Sequence, residues 1–259
     1  MTVSFILKDI IDAFKNWLRE QQPELIPIPV KPENKSQKSF PFTKFWELSL
    51  VLIVSLGFTS TAFAATKVNG LSSPDQPKTI LFLGDSITAG YGLDQSQAFP
   101  ALIQERIDAL NLKYSVVNAG LSGETSSGGL RRVGWLLRSK VDILILELGA
   151  NDGLRGIDLS VTKTNLQQII DQAKEANPNV QIIVAGMQVP PNLGQNYTNQ
   201  FRQMFPELAT KNNAKLIPFI LEGVAGEPTL NLSDGIHPNV EGQKILADNV
   251  WKVLRPMLK

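Results

Sequence analysis

From Lys78 onward, short apolar runs of strand length alternate with longer stretches of helical period. The strand-like runs fall at 79–83, 114–118, 141–148, 180–185 and 215–218. Between them apolar residues recur every three to four positions, the spacing of one helix face. Leu102, Ile103, Ile107 and Leu110 form one stripe, and Leu130, Val133, Leu136 and Leu137 a second. A third, Leu166, Ile169, Ile170 and Ala173, is stopped by Asn177-Pro178. Phe201, Met204, Phe205 and Leu208 make a fourth, which Pro206 is expected to kink or shorten. The last covers 240–254, with Leu246, Val250, Val253 and Leu254 inward. Five strands alternating with helices predict an α/β fold with a five-stranded parallel sheet covered on both faces. Right-handed crossovers make it a three-layer αβα sandwich.

In such a sheet the loops after the strands gather along one edge, where ligands bind. The first strand ends in Gly84-Asp85-Ser86, and the chain is expected to stay loop-like through Thr88, Gly90 and Gly92 until Phe99. The second is followed by Asn118-Ala119-Gly120-Leu121-Ser122-Gly123-Glu124-Thr125, and the third by Gly149-Ala150-Asn151-Asp152-Gly153. Between the fifth strand and the last helix lies Ser233-Asp234-Gly235-Ile236-His237-Pro238-Asn239.

Each of these loops carries a group that serine hydrolysis needs. Ser86 is the candidate nucleophile; its competing role is to cap the next helix. A hydroxyl is weak until a base takes its proton, and His237 is the only imidazole in the chain. Asp234, three residues earlier, can fold back to fix the tautomer of His237 and stabilise its imidazolium. The developing oxyanion needs donors, for which the backbone N–H groups of Ser86 and Gly123 and the side-chain amide of Asn151 are the candidates. Glycine at 123 lets the backbone approach a substrate closely. Asn151 has a rival role as a turn former in Asn-Asp-Gly. Ser122, Ser126 and Ser127 are rival nucleophiles whose setting fits capping better. Asp85 and Asp152 are read as hydrogen-bonding props of the loops. No Ser stands in a G-x-S-x-G elbow.

Composition narrows the chemistry further. With no cysteine, disulfides, thiolate metal sites and a Cys nucleophile are excluded, and a single histidine excludes a multi-His metal site. A net charge of +1 offers no electrostatic case for nucleic acid. Residues 1–45 pair an amphipathic stripe, Ile6, Ile10, Phe14, Trp17 and Leu18, with a Pro- and Lys-rich stretch, and read as an extension that is disordered or partly helical. Residues 46–64 read as an export signal, with an apolar core near 48–58 and Ala62-Phe63-Ala64 as an A-x-A cleavage site. Membrane anchoring through 48–64 is the alternative, although the apolar core is shorter than the roughly 20 residues that span a bilayer. Residues 65–77 are a linker and 78–259 one catalytic domain.

Four blocks, Gly84-Asp85-Ser86, the Gly123 turn, Gly149-Ala150-Asn151-Asp152 and Asp234-Gly235-Ile236-His237-Pro238, together resemble the GDSL, or SGNH, hydrolase family. Ser122-Gly123-Glu124-Thr125-Ser126 and Asn151-Asp152-Gly153-Leu154-Arg155-Gly156 are most similar to its bacterial thioesterase I/lysophospholipase L1/arylesterase branch. Ile87 replaces the name-giving Leu, and Glu124 stands where that branch often has Asp. The resemblance implies a flavodoxin-like SGNH fold. It also implies a Ser86–His237–Asp234 triad and an oxyanion hole of Ser86, Gly123 and Asn151, with no metal or cofactor. The expected activity is cleavage of carboxylic esters or thioesters of small acyl or aryl groups by an exported, periplasmic or extracellular enzyme. Deacetylation of sugars and an inactive, membrane-anchored binding domain are the alternatives. Val189, Pro190, Pro191 and Leu193 are expected to wall the acyl side.

Overall fold

The computed structural model describes residues 76–190 and 193–259. The expected extension, export signal, most of the linker and Pro191 lie outside the described residues. Five strands form one parallel sheet: β1 (Lys78–Gly84), β2 (Tyr114–Gly120), β3 (Ile143–Glu147), β4 (Gln181–Ala185) and β5 (Lys215–Ile217). Their order across the sheet is β2-β1-β3-β4-β5. Among the described residues seven α-helices accompany them: α1 (Ser86–Ala89), α2 (Phe99–Ala109), α3 (Ser126–Leu136), α4 (Ala150–Leu154), α5 (Leu159–Ala176), α6 (Gln195–Asn212) and α7 (Val240–Leu254). The helix α2 packs with α7, whereas α3, α5 and α6 pack in succession. Two helical layers thus enclose the sheet in an αβα sandwich.

The central strands read as unbroken apolar runs because both of their faces are covered. Ile80 to Leu83 of β1 and every residue of β3 are buried, including Glu147. The edge strand β2 mixes buried and exposed positions, as expected where one side meets water. The expected helix stripes supply most of the buried faces: Ile103 and Ile107 in α2, Leu166, Ile169, Ile170 and Ala173 in α5, and Leu246, Val250 and Leu254 in α7. Leu110, expected on the first stripe, is instead the exposed cap that ends α2, and Val253 is half-buried.

Pro206 neither ends nor shortens its helix, since α6 runs 18 residues with Pro206 inside it. An interior proline costs ~3 kcal/mol. The buried face of Phe201, Met204, Phe205 and Leu208 outweighs that, at roughly 1.5–3 kcal/mol per side chain.

The strand order places the site. After β1 the chain crosses to one side, to β2, and later strands add on the other side, from β3 outward. The carboxyl ends of β1 and β3 therefore bound a crevice at a topological switch point, where ligands of open α/β sheets bind. Ser86 follows β1 and Asn151 follows β3.

Candidate active site

Ser86 does not lie in a loop. It opens the one-turn helix α1, which Gly90 closes in the left-handed region at φ 71°. The cap is Asp85, not Ser86: Asp85 Oδ1 accepts the Ile87 N–H at 3.0 Å. A carboxylate one residue upstream reaches the orphan N–H that a capping Ser would otherwise take, leaving the Ser86 hydroxyl available.

The segment after β5 brings His237 to that hydroxyl. Its backbone doubles back through an Asn231–Pro238 bridge and the Leu232 N–H to His237 carbonyl bond of 2.7 Å. Within the turn, Asp234 Oδ1 accepts the N–H groups of Ile236 and His237, each at 3.0 Å. Asp234 Oδ2 lies 2.7 Å from His237 Nδ1, and His237 Nε2 lies 2.9 Å from Ser86 Oγ. A carboxylate only accepts, so Nδ1 carries the proton toward Asp234 and Nε2 is left as the acceptor for Ser86. Burial pushes the Asp234 carboxyl up, but the Ile236 and His237 N–H groups and the His237 ring more than offset this, holding it below 3.8. Asp234 thus remains an anion beside an imidazole that is only 4% exposed. The Tyr91 ring lies over the His237 ring with centroids 4.4 Å apart, and Tyr91 is 42% exposed.

Gly123 stands at φ 77°, and a Cβ there would meet no atom within 4 Å. Several bonds hold its loop. The Leu121 N–H donates to the Gly84 carbonyl at 3.0 Å, and Arg155 Nη2 to the Gly123 carbonyl at 3.3 Å. Arg132 joins the set, donating Nε to both Glu124 oxygens at 2.7 and 2.8 Å and Nη2 to the Ala119 and Gly84 carbonyls. Glu124, one carbon longer than Asp, forms a fork with Arg132 beside the site.

Asn151 belongs to the first turn of α4 rather than to an open turn, and is 4% exposed. Its Nδ2 donates to Asp85 Oδ2 at 3.2 Å, which uses one of the amide's two N–H groups. Asp85 therefore caps the Ser86 turn with one oxygen and orients Asn151 with the other. Burial pushes the Asp85 carboxyl up to about 7; the Ile87 N–H and the Asn151 amide oppose this, and the charges of Glu124 and Asp152 reinforce it.

None of the three rival serines contacts His237. Ser126 is buried and donates Oγ to Asp152, with Thr125, not Ser126, as the cap of α3. Ser127 Oγ accepts from Arg131, and Ser122 is exposed. Asp152 also accepts the Ser126 N–H at 2.8 Å and the Thr162 hydroxyl at 3.2 Å, so it ties α3 and α5 to α4. Among the described residues no group of three or more His, Asp or Glu side chains is arranged to hold a metal ion.

The sequence pattern of the GDSL-like lipase/acylhydrolase family matches residues 82–245, which contain all of these groups. The chain belongs to that family. Esterase TesA of Pseudomonas aeruginosa is 41% identical over 182 residues, covering 70% of this chain and 90% of that protein. The Escherichia coli thioesterase 1/protease 1/lysophospholipase L1 is 36% identical over 214 residues, covering 82% and 94%. Among solved structures, the psychrotrophic esterase EstA of Pseudoalteromonas sp., in a form inhibited by monoethylphosphonate, superposes with a TM-score of 0.66. It is 35% identical, over 70% of this chain and 98% of that one. The protein is accordingly a GDSL-family esterase.

Several residues around this GDSL site escape a motif reading. Tyr91 sits between two turn glycines, and its distance from His237 in sequence hides their ring contact. Arg132 sits on α3 and Arg155 caps the end of α4, and both reach the site only through side-chain length. The expected acyl wall is corrected in part. Val189 is a core residue packed over Gly153, where a Cβ would lie 2.5 Å from its methyl group, so it is not free to line a cleft. Leu193 is half-buried against the same core.

Proposed function

We propose that the chain hydrolyses carboxylic esters or thioesters of small acyl or aryl groups, with Ser86 as nucleophile, His237 as general base and Asp234 as its orienting carboxylate. One observation carries this reading: the continuous relay from Ser86 Oγ through His237 to Asp234, with contacts of 2.9 and 2.7 Å. Ser86 Oγ attacks the acyl carbon while its proton passes to His237 Nε2. Charge gathers on the acyl oxygen, where the N–H groups of Ser86 and Gly123 and the Asn151 amide receive it. His237 then delivers the proton to the departing alkoxide or thiolate, leaving an acyl-Ser86. Water attacks that ester and gives its proton to Nε2. The acid leaves as the proton returns to Ser86. Asp234 stays ionised throughout and steadies the imidazolium.

The half-exposed Tyr91 ring over His237 supports the assignment of small aryl or acyl groups, since it offers a flat apolar surface beside the reacting atoms. The names of the esterase and thioesterase relatives support the same bond classes. A fluorophosphonate probe, akin to the phosphonate on EstA, should label the native protein at Ser86 and leave Ser86→Ala unlabelled. Labelling that persists in Ser86→Ala would move the nucleophile elsewhere. Rates on nitrophenyl esters, acyl-CoAs, lysophospholipids and acetylated sugars then rank the substrates.

We further propose that the chain is exported and cleaved after Ala64, on the strength of the A-x-A signal. Among the described residues no helix is long and apolar enough to cross a membrane.

A further inference from the structure

One buried acid takes part in none of the steps above. Glu147 closes β3 and pairs with Gly84 in the β1–β3 register. Its Oε2 accepts the Thr88 hydroxyl at 2.7 Å and the Asp85 N–H at 3.2 Å. Those two donors bracket Ser86, one immediately before it and one two residues after. Gly84 makes the approach feasible, because a Cβ there would fall 2.0 Å from Thr88 Oγ1 and 2.6 Å from Glu147 Oε2. The other carboxyl oxygen, Oε1, is buried with no hydrogen-bond partner among the described residues.

We infer that Glu147 is a positioning residue: its carboxyl clamps the Ser86 turn to the end of β3 from both sides and so holds the nucleophile within reach of His237. The inference rests on the reading of Ser86 as nucleophile. The clamp operates as a neutral acid. An ionised carboxylate with one oxygen unpaired and no bonded cation is costly in a buried site, whereas a protonated one still accepts both bonds on Oε2. Burial pushes the Glu147 carboxyl well above its usual range; the Asp85 charge adds to this, and the bonds from Thr88 and Asp85 only partly oppose it. The charged groups facing the clamp are few. Asp85 comes from the turn after β1. Arg132 of α3 reaches the Gly84 carbonyl but gives its fork to Glu124, and Asp152 of α4 bears on Asp85.

The test compares the native full chain with Glu147→Gln, Glu147→Ala and Thr88→Val. The readouts are kcat and KM on a nitrophenyl ester, the rate of fluorophosphonate labelling at Ser86, and melting temperature. Removing the clamp in Glu147→Ala should lower kcat about 10–100-fold, the scale of a misplacement near 1 Å, with KM nearly unchanged and labelling slowed in proportion. Glu147→Gln keeps an acceptor oxygen without an ionisable group, and should rescue kcat to within about threefold of native. Thr88→Val removes one of the two bonds at constant shape and should lower kcat about two- to tenfold. This variant decides the matter if Glu147→Ala does not fold. Native kcat and labelling in Glu147→Ala or Thr88→Val, with only a lower melting point, would overturn the clamp. Glu147→Gln as slow as Glu147→Ala would overturn its neutral state. A native protein that does not label at Ser86 would instead remove the nucleophile assignment, and the clamp with it.

Discussion

Replacing Asn151 by Ala separates two roles that its position makes plausible, turn building and oxyanion stabilisation. Asn151 is 4% exposed and its amide donates to Asp85 Oδ2 at 3.2 Å. Truncation removes that bond and leaves a buried Asp85 oxygen short of a partner, which costs about 1–3 kcal/mol. In a domain of this size that corresponds to a fall in melting temperature of roughly 2–12 °C. If the amide's other N–H also meets the developing oxyanion, a second effect appears in kcat alone. The bond to a carbonyl oxygen strengthens as charge gathers there, so its loss raises the barrier more than it weakens substrate binding. Loss of one such donor typically costs ~10²–10³ in kcat, about 3–4 kcal/mol. We therefore expect Asn151→Ala to be less stable and, assayed well below its melting point, to turn over nitrophenyl ester about 10²–10³-fold more slowly at nearly native KM. Slow phosphonate labelling of Ser86 should persist, because the Ser86–His237 contact does not pass through Asn151. Folded Asn151→Ala with kcat within about threefold of native would refute the oxyanion role, since a loss of stability does not slow the fraction that stays folded.

Asp234→Asn should lower kcat/KM about 10³–10⁴-fold while the protein remains folded, because an amide can present its N–H to His237 Nδ1 and stabilise the wrong tautomer; a loss under tenfold in steady-state assays would remove Asp234 from the relay. Gly123→Ala meets no atom within 4 Å but must hold φ 77°, so calorimetry should show only the strain, about 1–2 kcal/mol, while kcat falls at least tenfold as the N–H is re-aimed; a stability loss without a kcat loss would sink the Gly123 assignment. Asp85 is raised from 3.8 to about 7 on folding, so its stabilising contribution is complete below pH ~3.8, declines as pH rises through that window and is gone above about 7. Asp234, held below 3.8, acts only at more acid pH, so melting temperature should fall from pH 4 to 8 and Asp85→Asn should flatten that fall; an equal slope in the variant would contradict the buried titration. Amino-terminal sequencing of the native protein should start at Ala65, and a Met1 start in a membrane fraction would favour the uncleaved anchor.

The fold was legible because burial on both faces leaves a direct mark on composition. Central parallel strands carry runs such as Ile143-Leu144-Ile145-Leu146, and helices packed on a sheet carry stripes such as Leu166, Ile169, Ile170 and Ala173. The Ser86, Asp234 and His237 contacts were legible for a related reason. Loops after strands share one edge, and a chain with one histidine has one base to place there. Features set by competition between neighbours were not legible. The run from Ser86 to Ala89 reads as loop because Gly90 and Gly92 follow it, yet Asp85 caps it into a helical turn. Pro206 reads as a residue that kinks or shortens its helix because its cost is local, while the buried face that outweighs it is tertiary.

Glu147 marks where sequence reasoning stops, and for a physical reason. At the end of an apolar strand a Glu looks like the point where the chain turns back toward water. Nothing local says otherwise, since its partners Asp85 and Thr88 lie 62 and 59 residues away in sequence. Only the register that sets Glu147 beside Gly84 reveals that the carboxyl points into the protein, under the turn bearing Ser86. The adjacent Gly84 carries the matching half of the signal: a residue without Cβ is required there by the Thr88 and Glu147 side chains as well as by the turn. The glycine of Gly-Asp-Ser thus does more than make the chain flexible. It opens the space in which a buried acid grips the turn bearing Ser86, so the effects of truncating Gly84's neighbour Glu147 and of substituting Gly84 should be coupled. Gly84→Ala is expected to displace Thr88 or Glu147 and to slow phosphonate labelling in the native background. That penalty should shrink markedly in Glu147→Ala, where the clamp is already gone, and fully additive losses in the double variant would show that the two positions act independently.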